Sequence, residues 1–316
     1  MKYAAKRIAM LLLTMVIVSL LTFVAFDLIS GDPATAMLGT EATPEKITAL
    51  REELGLNRPL LVRYGEWLLG FFTGDLGISY GYRQPVWELI GPKVLVTLCL
   101  SGLAFLLITA VSIPLGVRSA RQSGGVLDGA RTLLNQLCMA VPPFFTGILL
   151  SFLFSTVLHW FVHGQFPGLD KDLAGSLKYL FFASLALAIP RIAMTVRMLR
   201  STIQGEMLRD YVRTAISRGN DRSGVLYHHV LKNALVPVVT FLAQTMAEIV
   251  AGSIVVEQVF GIPGLGRMLV ASISNRDYPT VQAIVVILAF WVVLAGTVAD
   301  LINQRIDPRL RLGGAS

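Results

Sequence analysis

Six stretches of this chain, residues 8–28, 94–115, 133–158, 177–199, 236–259 and 281–302, are each apolar over the length a helix needs to cross a lipid bilayer. A hydrocarbon core of about 30 Å takes roughly 20 apolar residues at helical rise. Inside it no water is available, so every backbone N–H and C=O must be satisfied within the protein, which leaves helices or a closed barrel. Alternation of apolar and polar residues is absent, and residues 98–108 are apolar on every face, so the spans read as helices. With 54% hydrophobic and 15% charged residues, and a mean hydropathy of +0.66, an ordinary soluble domain is excluded. The expected fold class is all-α, a polytopic membrane protein with six transmembrane helices.

Lys and Arg in the short loops predict the orientation, because basic loops stay in the cytoplasm. Lys2, Lys6 and Arg7 precede the first span, Arg118, Arg121 and Arg131 lie between the second and third, and Arg197 to Lys232 between the fourth and fifth. Arg305, Arg309 and Arg311 follow the sixth. Both termini are therefore expected inside, and the net charge of +7 reads as topology, with no need for a nucleic-acid partner. The chain divides into an N-terminal signal-anchor helix (1–30), a long external loop with amphipathic helices (31–93) and a core (94–316) with a cytoplasmic loop at about 200–235. Ala34-Thr35-Ala36 resembles a cleavage site, but the apolar run continues from Ile8 to Phe26, longer than a secretory h-region, so an uncleaved anchor fits better.

In the external loop, Thr43-Pro44-Glu45 opens a helix that Gly55 closes. Leu60, Leu61, Tyr64, Trp67, Leu68 and Phe71 then recur at helical spacing around Arg63 and Glu66, which predicts an amphipathic helix on the membrane surface or against the bundle. Such a region is either a rim that receives a partner carrying substrate or a cap over the helix ends.

Between the fourth and fifth spans, Arg209, Arg213, Arg218 and Arg222 alternate with Tyr211, Val212, Ala215, Ile216 and Val225. This predicts a short helix over 210–218, a stop at Gly219-Asn220, and a second segment, 225–235, leading into the fifth span. Tyr211-Val-Arg-Thr-Ala followed by Gly219, and then Asn233-Ala-Leu-Val-Pro237, resembles the coupling loop of binding-protein-dependent ATP-binding-cassette importer permeases, in their dipeptide, oligopeptide and nickel branch. The resemblance covers the whole chain. It takes in Gly31-Asp-Pro33, Leu54-Gly-Leu56, Gly74-Asp-Leu-Gly77 with Ser79, and Pro85-Val86 in the external loop. It continues through Glu257, Phe260, Pro263-Gly-x-Gly266, Arg276-Asp-Tyr-Pro279 and Asp307-Pro-Arg309. The chain departs from the wider superfamily's Glu-Ala-Ala, of which Ala215 alone is present, and Ile216, Ser217 and Arg218 stand where the branch reads Arg-Ala-Lys.

The resemblance implies a permease of the bacterial cytoplasmic membrane that imports peptides or nickel-type metal complexes by alternating access and is not itself an enzyme. Its implied partners are a second, distinct permease subunit, two cytoplasmic ATPase subunits and an external solute-binding protein. The helix of Tyr211, Val212, Arg213, Thr214, Ala215, Ile216, Ser217, Arg218 and Gly219 would couple it to the ATPases. No cofactor is expected, since ATP would be bound by the partners: no Gly-x-x-x-x-Gly-Lys-Ser/Thr occurs, and Gly261-Ile-Pro-Gly-Leu-Gly266 lacks the Lys and reads as a tight turn between helices.

Ionisable residues inside spans are costly and face polar interiors. Glu248, in the fifth span, is either a substrate contact or a partner in an interhelical bond; Arg191, and Asp300 with Asn303, read as snorkelling or paired. Pro142 and Pro143 mark the third span as the flexible or path-lining one, with Pro114 and Pro190 as further bends. His159 and His163 are four apart and would share a helical face, a possible metal pair, although packing with Trp160 accounts for them better. No metal site is expected, and Cys99 and Cys138 read as small buried hydrophobes with no disulfide. The rival classes are an ion-coupled secondary transporter, thinly supported by one intramembrane Glu, and an intramembrane metalloprotease, for which no His-Glu-x-x-His exists.

Overall fold

A computed structural model describes residues 2–29, 33–39 and 42–306. Among them there is no strand, and the one β-bridge joins Ile78 to Pro85. Five helices are long and apolar enough to cross a membrane: Ile8–Phe26, Val86–Arg121, Leu173–Glu206, Arg222–Phe260 and Tyr278–Ala299. In place of the third expected span stands a broken pair, Val126–Ala140 and Pro143–Val157, bent by 100°, which brings the number of spans to six if the pair crosses as one. The motif residues Gly31 and Asp32, the tail Asp307-Pro-Arg309 and the side chains of Asp300 and Asn303 lie outside the described residues.

Residues 1–97 and 263–293 form one unit, and 98–262 with 294–316 another. The first contains α1 (Lys2–Ile29), α2 (Pro33–Leu38), α3 (Pro44–Glu53) and α4 (Leu60–Thr73). Thr43 caps α3 as its sequence predicts, accepting from Lys46 N, and Gly55 takes the left-handed φ of +65° just past its end. The amphipathic α4 packs against α1. Tyr64 and Ser19 share a 2.8 Å hydrogen bond, the Phe23 ring meets Tyr64 edge-on at 5.6 Å, and Arg63 lies over Phe23. These contacts place α4 against α1.

The two outer motifs, almost 200 residues apart, meet in this unit. Asp277, fully buried, accepts from the Ser79 hydroxyl, from Tyr80 N at 2.9 Å and from Thr280 Oγ1 at 2.8 Å. The acid thus stitches loop 77–86 to the turn between α12 (Leu265–Ser274) and α13 (Tyr278–Ile306). Hydrogen bonds to charged groups contribute about 1.5–3 kcal/mol each, and removing the shared acceptor strands buried donors. Asp277→Ala should therefore destabilise this unit by about 3 kcal/mol. The check is a lowered melting temperature of the detergent-solubilised protein, with faster protease cleavage within residues 74–85.

In the second unit, α8 (Leu173–Glu206) is the central helix, and α6 (Val126–Ala140), α7 (Pro143–Ser151) and α11 (Leu231–Phe260) pack on it. Its crossing with α5 (Val86–Arg121) is tight, because a Cβ on Gly116 would stand 2.8 Å from Leu199 Cδ2. Asn135 Nδ2 donates to Ala193 O, tying α6 to α8. The α6–α7 break has a local cause. Val141 and Pro142 each precede a proline, which disfavours the helical region, and both are extended (ψ 122° and 147°). Two consecutive extended residues end the helix outright, where the sequence suggests only a kink.

The third span closes at Val157, one residue short of the expected 158, so no helix reaches His163. A π-helical turn, Phe152–Val157, closes it, and His159 stands beyond with φ +55°. The shared helical face expected for His159 and His163 does not form. His159 Nδ1 bonds Val157 O at 3.2 Å, and His163 Nδ1 bonds Ser151 Oγ at 3.0 Å. Trp160 stacks on Phe154 (5.0 Å) and tilts against Phe182, and Tyr179 OH donates to Phe260 O, which makes this end an aromatic cluster. Packing is what this segment does. Among the described residues no cluster of three metal-ligating side chains exists.

Candidate functional site

Beyond Glu206 the chain turns through 207–209 and forms α9 (Asp210–Ser217), the short helix that the alternation of basic and apolar residues predicts. Gly219 ends it at φ +88°, where any other residue would be strained. Gly219 N bonds Ile216 O and Asn220 N bonds Ala215 O, the paired closing bonds of a Schellman stop. Asp221 then caps α10 (Arg222–Val225), accepting from Ser223 N and Gly224 N at 3.1 Å each. A π-helical turn, Leu226–Val230, carries the chain into α11, and α9 packs against α10. The second segment of the loop is thus the start of one helical stretch, Arg222–Phe260, which passes through Pro237.

One side of α9 is held and the other is free. Val212 is 1% exposed and Ala215 half-buried, whereas Asp210, Arg213, Thr214, Ser217 and Arg218 are exposed. Asp210, Arg213, Thr214 and Ser217 follow the i, i+3, i+4, i+7 register of one helical face, while Tyr211 and Ile216 are exposed outside it. The Tyr211 hydroxyl donates to Glu206 Oε2 at 2.8 Å and accepts from Asn233 Nδ2 at 3.3 Å. Burial pushes the phenol's pKa up, and the Glu206 carboxylate acts in the same sense against the Asn233 amide. A third tie comes from α5: Arg121 donates to Ser223 Oγ and Tyr227 OH, both at 3.2 Å, and stands over the Tyr227 ring. The loop is thereby joined to α8 through Glu206, to α11 through Asn233 and to α5 through Arg121.

Within the spans, Glu248 on α11 forms an ion pair with Arg191 on α8. Arg191 lies near the midpoint of α8, next to Pro190. The sequence suggests each as a separate candidate, and the structure brings them together. Their side chains are 52% and 26% exposed respectively. Pro142 and Pro143 sit at the α6–α7 break, and Gly147 beyond it lets α7 approach Ala186, Val259 and Phe260.

Three residues that contact the loop escape sequence reading. Glu206 and Arg121 reach the loop only through tertiary contacts, with no signal but their polarity near helix ends. Asn233, which belongs to the loop motif, shows its role only as the donor to Tyr211. In the first unit, a cavity of about 420 Å³ has walls of Phe23, Phe26, Trp67, Tyr80 and Tyr278 and is also lined by Arg58 and Glu66.

Comparison with known proteins adds a second line. Residues 112–312 match the family described as binding-protein-dependent transport system inner membrane component, and residues 1–101 match its N-terminal companion. A chain of Brucella abortus (strain 2308), carrying the name of a peptide transport system permease protein, is 39% identical over 97% of this chain and 98% of its own length. A "Probable peptide ABC transporter permease protein" of Sinorhizobium fredii is 33% identical, with 98% and 99% covered. The dipeptide transport system permease protein DppB of Escherichia coli (strain K12) is 32% identical, again with 98% and 99% covered.

Proposed function

Because this chain belongs to the family of binding-protein-dependent transport system inner membrane components, and so is a multi-pass permease of the bacterial inner membrane, we propose that it imports peptides by alternating access, driven by ATP hydrolysis in partner subunits. The assembly is this chain, a second and distinct permease, two cytoplasmic ATPases and an external solute-binding protein. Both termini and α9 face the cytoplasm. The core 94–316, with its loop at about 200–235, carries the motion, and the region 31–93 receives the binding protein. Peptide is the cargo that the names of all three relatives support; nickel complexes are the finer alternative.

The observation that carries this reading is α9 itself: a capped helix with a buried anchor, an open face of Arg213, Thr214, Ser217 and Arg218, and ties to three long helices. A rigid element that a partner can grip and that is fastened to the spans is what rigid-body switching requires. The Arg191–Glu248 pair supports the placement of the path. A half-exposed carboxylate within a span is costly against lipid, so this face of α8 and α11 belongs against protein or water. The pairing also weighs against the ion-coupled alternative, since the carboxylate that would carry the proton or sodium is held by a guanidinium.

The test is uptake of radiolabelled dipeptide, longer peptide and nickel by cells lacking this chain and by cells whose partner ATPase is inactive. Loss of peptide uptake in both strains is the expected result. Loss of nickel alone would reassign the cargo, and uptake that persists without the ATPase would reassign the energy source.

A further inference from the structure

A cleft of about 820 Å³ opens between α5, α6 and α8, and its lining is sorted along the helix axes. On α5, Leu115 precedes Arg118; on α8, Ile189, Ile192 and Val196 precede Arg197 and Arg200. The order is reversed on α6, where Arg131 and Thr132 come before Leu134 and Cys138, with the uncharged Asn135 and Gln136 between those two. Arg200 shows that these charged ends coincide, because it donates to Ser119 near the end of α5 and to Asp128 in the first turn of α6. Arg121 fastens that same end to α10. One end of the cleft is therefore cationic and the other apolar, along the direction in which the helices cross the membrane.

The charge is only partly neutralised internally, by Asp128, which holds Arg200 and also acts electrostatically on Arg131. Arg200 is engaged by Asp128 through two bonds, of 2.7 and 2.8 Å. Arg118 and Arg197 have no ion-pair partner among the described residues, and no carboxylate there lines the cleft. The apolar wall from Ile189 to Val196 rises about 10 Å at 1.5 Å per residue. That covers a substantial part of one leaflet of a core about 30 Å thick. A ligand matching both ends carries an anionic head and a hydrocarbon chain, aligned with the membrane normal. Basic pockets between membrane helices bind anionic lipid headgroups on these terms.

We propose that this cleft is a binding site for an anionic glycerophospholipid of the leaflet on the α9 side. The phosphate lies among Arg118, Arg131 and Arg197, and an acyl chain runs along Leu115, Ile192 and Val196. A free phosphate or a peptide carboxylate would satisfy the arginines equally but would leave the wall without an apolar partner. The site adjoins the α10 end of the coupling loop through Arg121, so its occupancy would brace the α5, α6 and α8 ends against which that loop moves.

The experiment is native mass spectrometry of the complete transporter, purified in nonionic detergent, with phosphatidylglycerol, phosphatidylcholine of the same acyl chains, or inorganic phosphate added. Phosphatidylglycerol should be retained at roughly tenfold or more over phosphatidylcholine, since each basic residue adds a several-fold preference. The variant R118Q/R131Q/R197Q, which keeps Arg200 and so its bonds to Asp128, should bring the two lipids level. K46Q/K171Q/K178Q removes the same charge from exposed positions outside the cleft and the coupling loop and should leave the preference intact. Equal retention of the two lipids by the unmodified protein would overturn the proposal without any variant. So would an equal loss of preference in both triple variants, or displacement of phosphatidylglycerol by inorganic phosphate, which would mark a site for a free anion.

Discussion

Val212→Asp should leave the chain in the membrane and the partner ATPases turning over, while uptake falls by at least about tenfold. At 1% exposure, Val212 is the side chain that seats α9 on the rest of its unit. Burying a carboxylate there without a partner costs several kcal/mol, and each 1.4 kcal/mol moves the seated-to-detached ratio by a factor of about ten. Val212→Ala removes part of a burial term of about 1.5–3 kcal/mol and should give an intermediate loss. Tyr211→Phe tests the same junction without threatening the fold, because it deletes only the hydroxyl that bridges Glu206 and Asn233. It should lower uptake several-fold with ATP hydrolysis unchanged. Paired assays of hydrolysis and transport in proteoliposomes read both quantities. Full transport by Val212→Asp and Tyr211→Phe alike would remove α9 from the mechanism.

The second large effect belongs to the ion pair between α8 and α11. Neutralising one partner leaves the other as a lone charge inside a span, at about 2.5–3.5 kcal/mol for a mid-helix position on insertion scales. Arg191→Gln and Glu248→Gln should each lower the amount of folded protein and reduce uptake by about tenfold or more. The double variant R191Q/E248Q should recover most of the folded protein, because it removes both charges together. Quantitative blotting of membranes, with uptake normalised to it, separates assembly from transport. A different pattern would assign Glu248 to the solute. If Arg191→Gln is silent and Glu248→Gln selectively loses cationic peptides, with no rescue in the double variant, the carboxylate acts on cargo without Arg191.

Short helices of both the external loop and the coupling loop can be read from their residues because local chemistry decides them. Thr43 before Pro44, and Gly219 before Asn220, act through caps and stops made within a few residues, and both appear as expected. The α6–α7 break was half visible. Two adjacent prolines signal a disturbance, but its size depends on both preceding residues being extended. The His159 and His163 expectation failed for a related reason: apolar composition continues past the point where the helix closes in a π-helical turn, and hydropathy carries no information about backbone closure.

What the sequence by itself determined is the membrane-spanning helical class, the short helix expected over 210–218 and found at Asp210–Ser217, and the family. These depend on run length, residue type and spacing, all of which are properties of the chain in order. Only the tertiary structure decided which residues act together. Asp277 meets Ser79 across almost 200 positions, Arg191 pairs with Glu248, Arg121 holds the loop, and three arginines from three helices gather at one end of a cleft. A helix's axial rotation and the neighbour it crosses choose those partners. Neither is written in local pattern, because an all-apolar span shows no preferred face until close packing, as at Gly116 against Leu199, selects one.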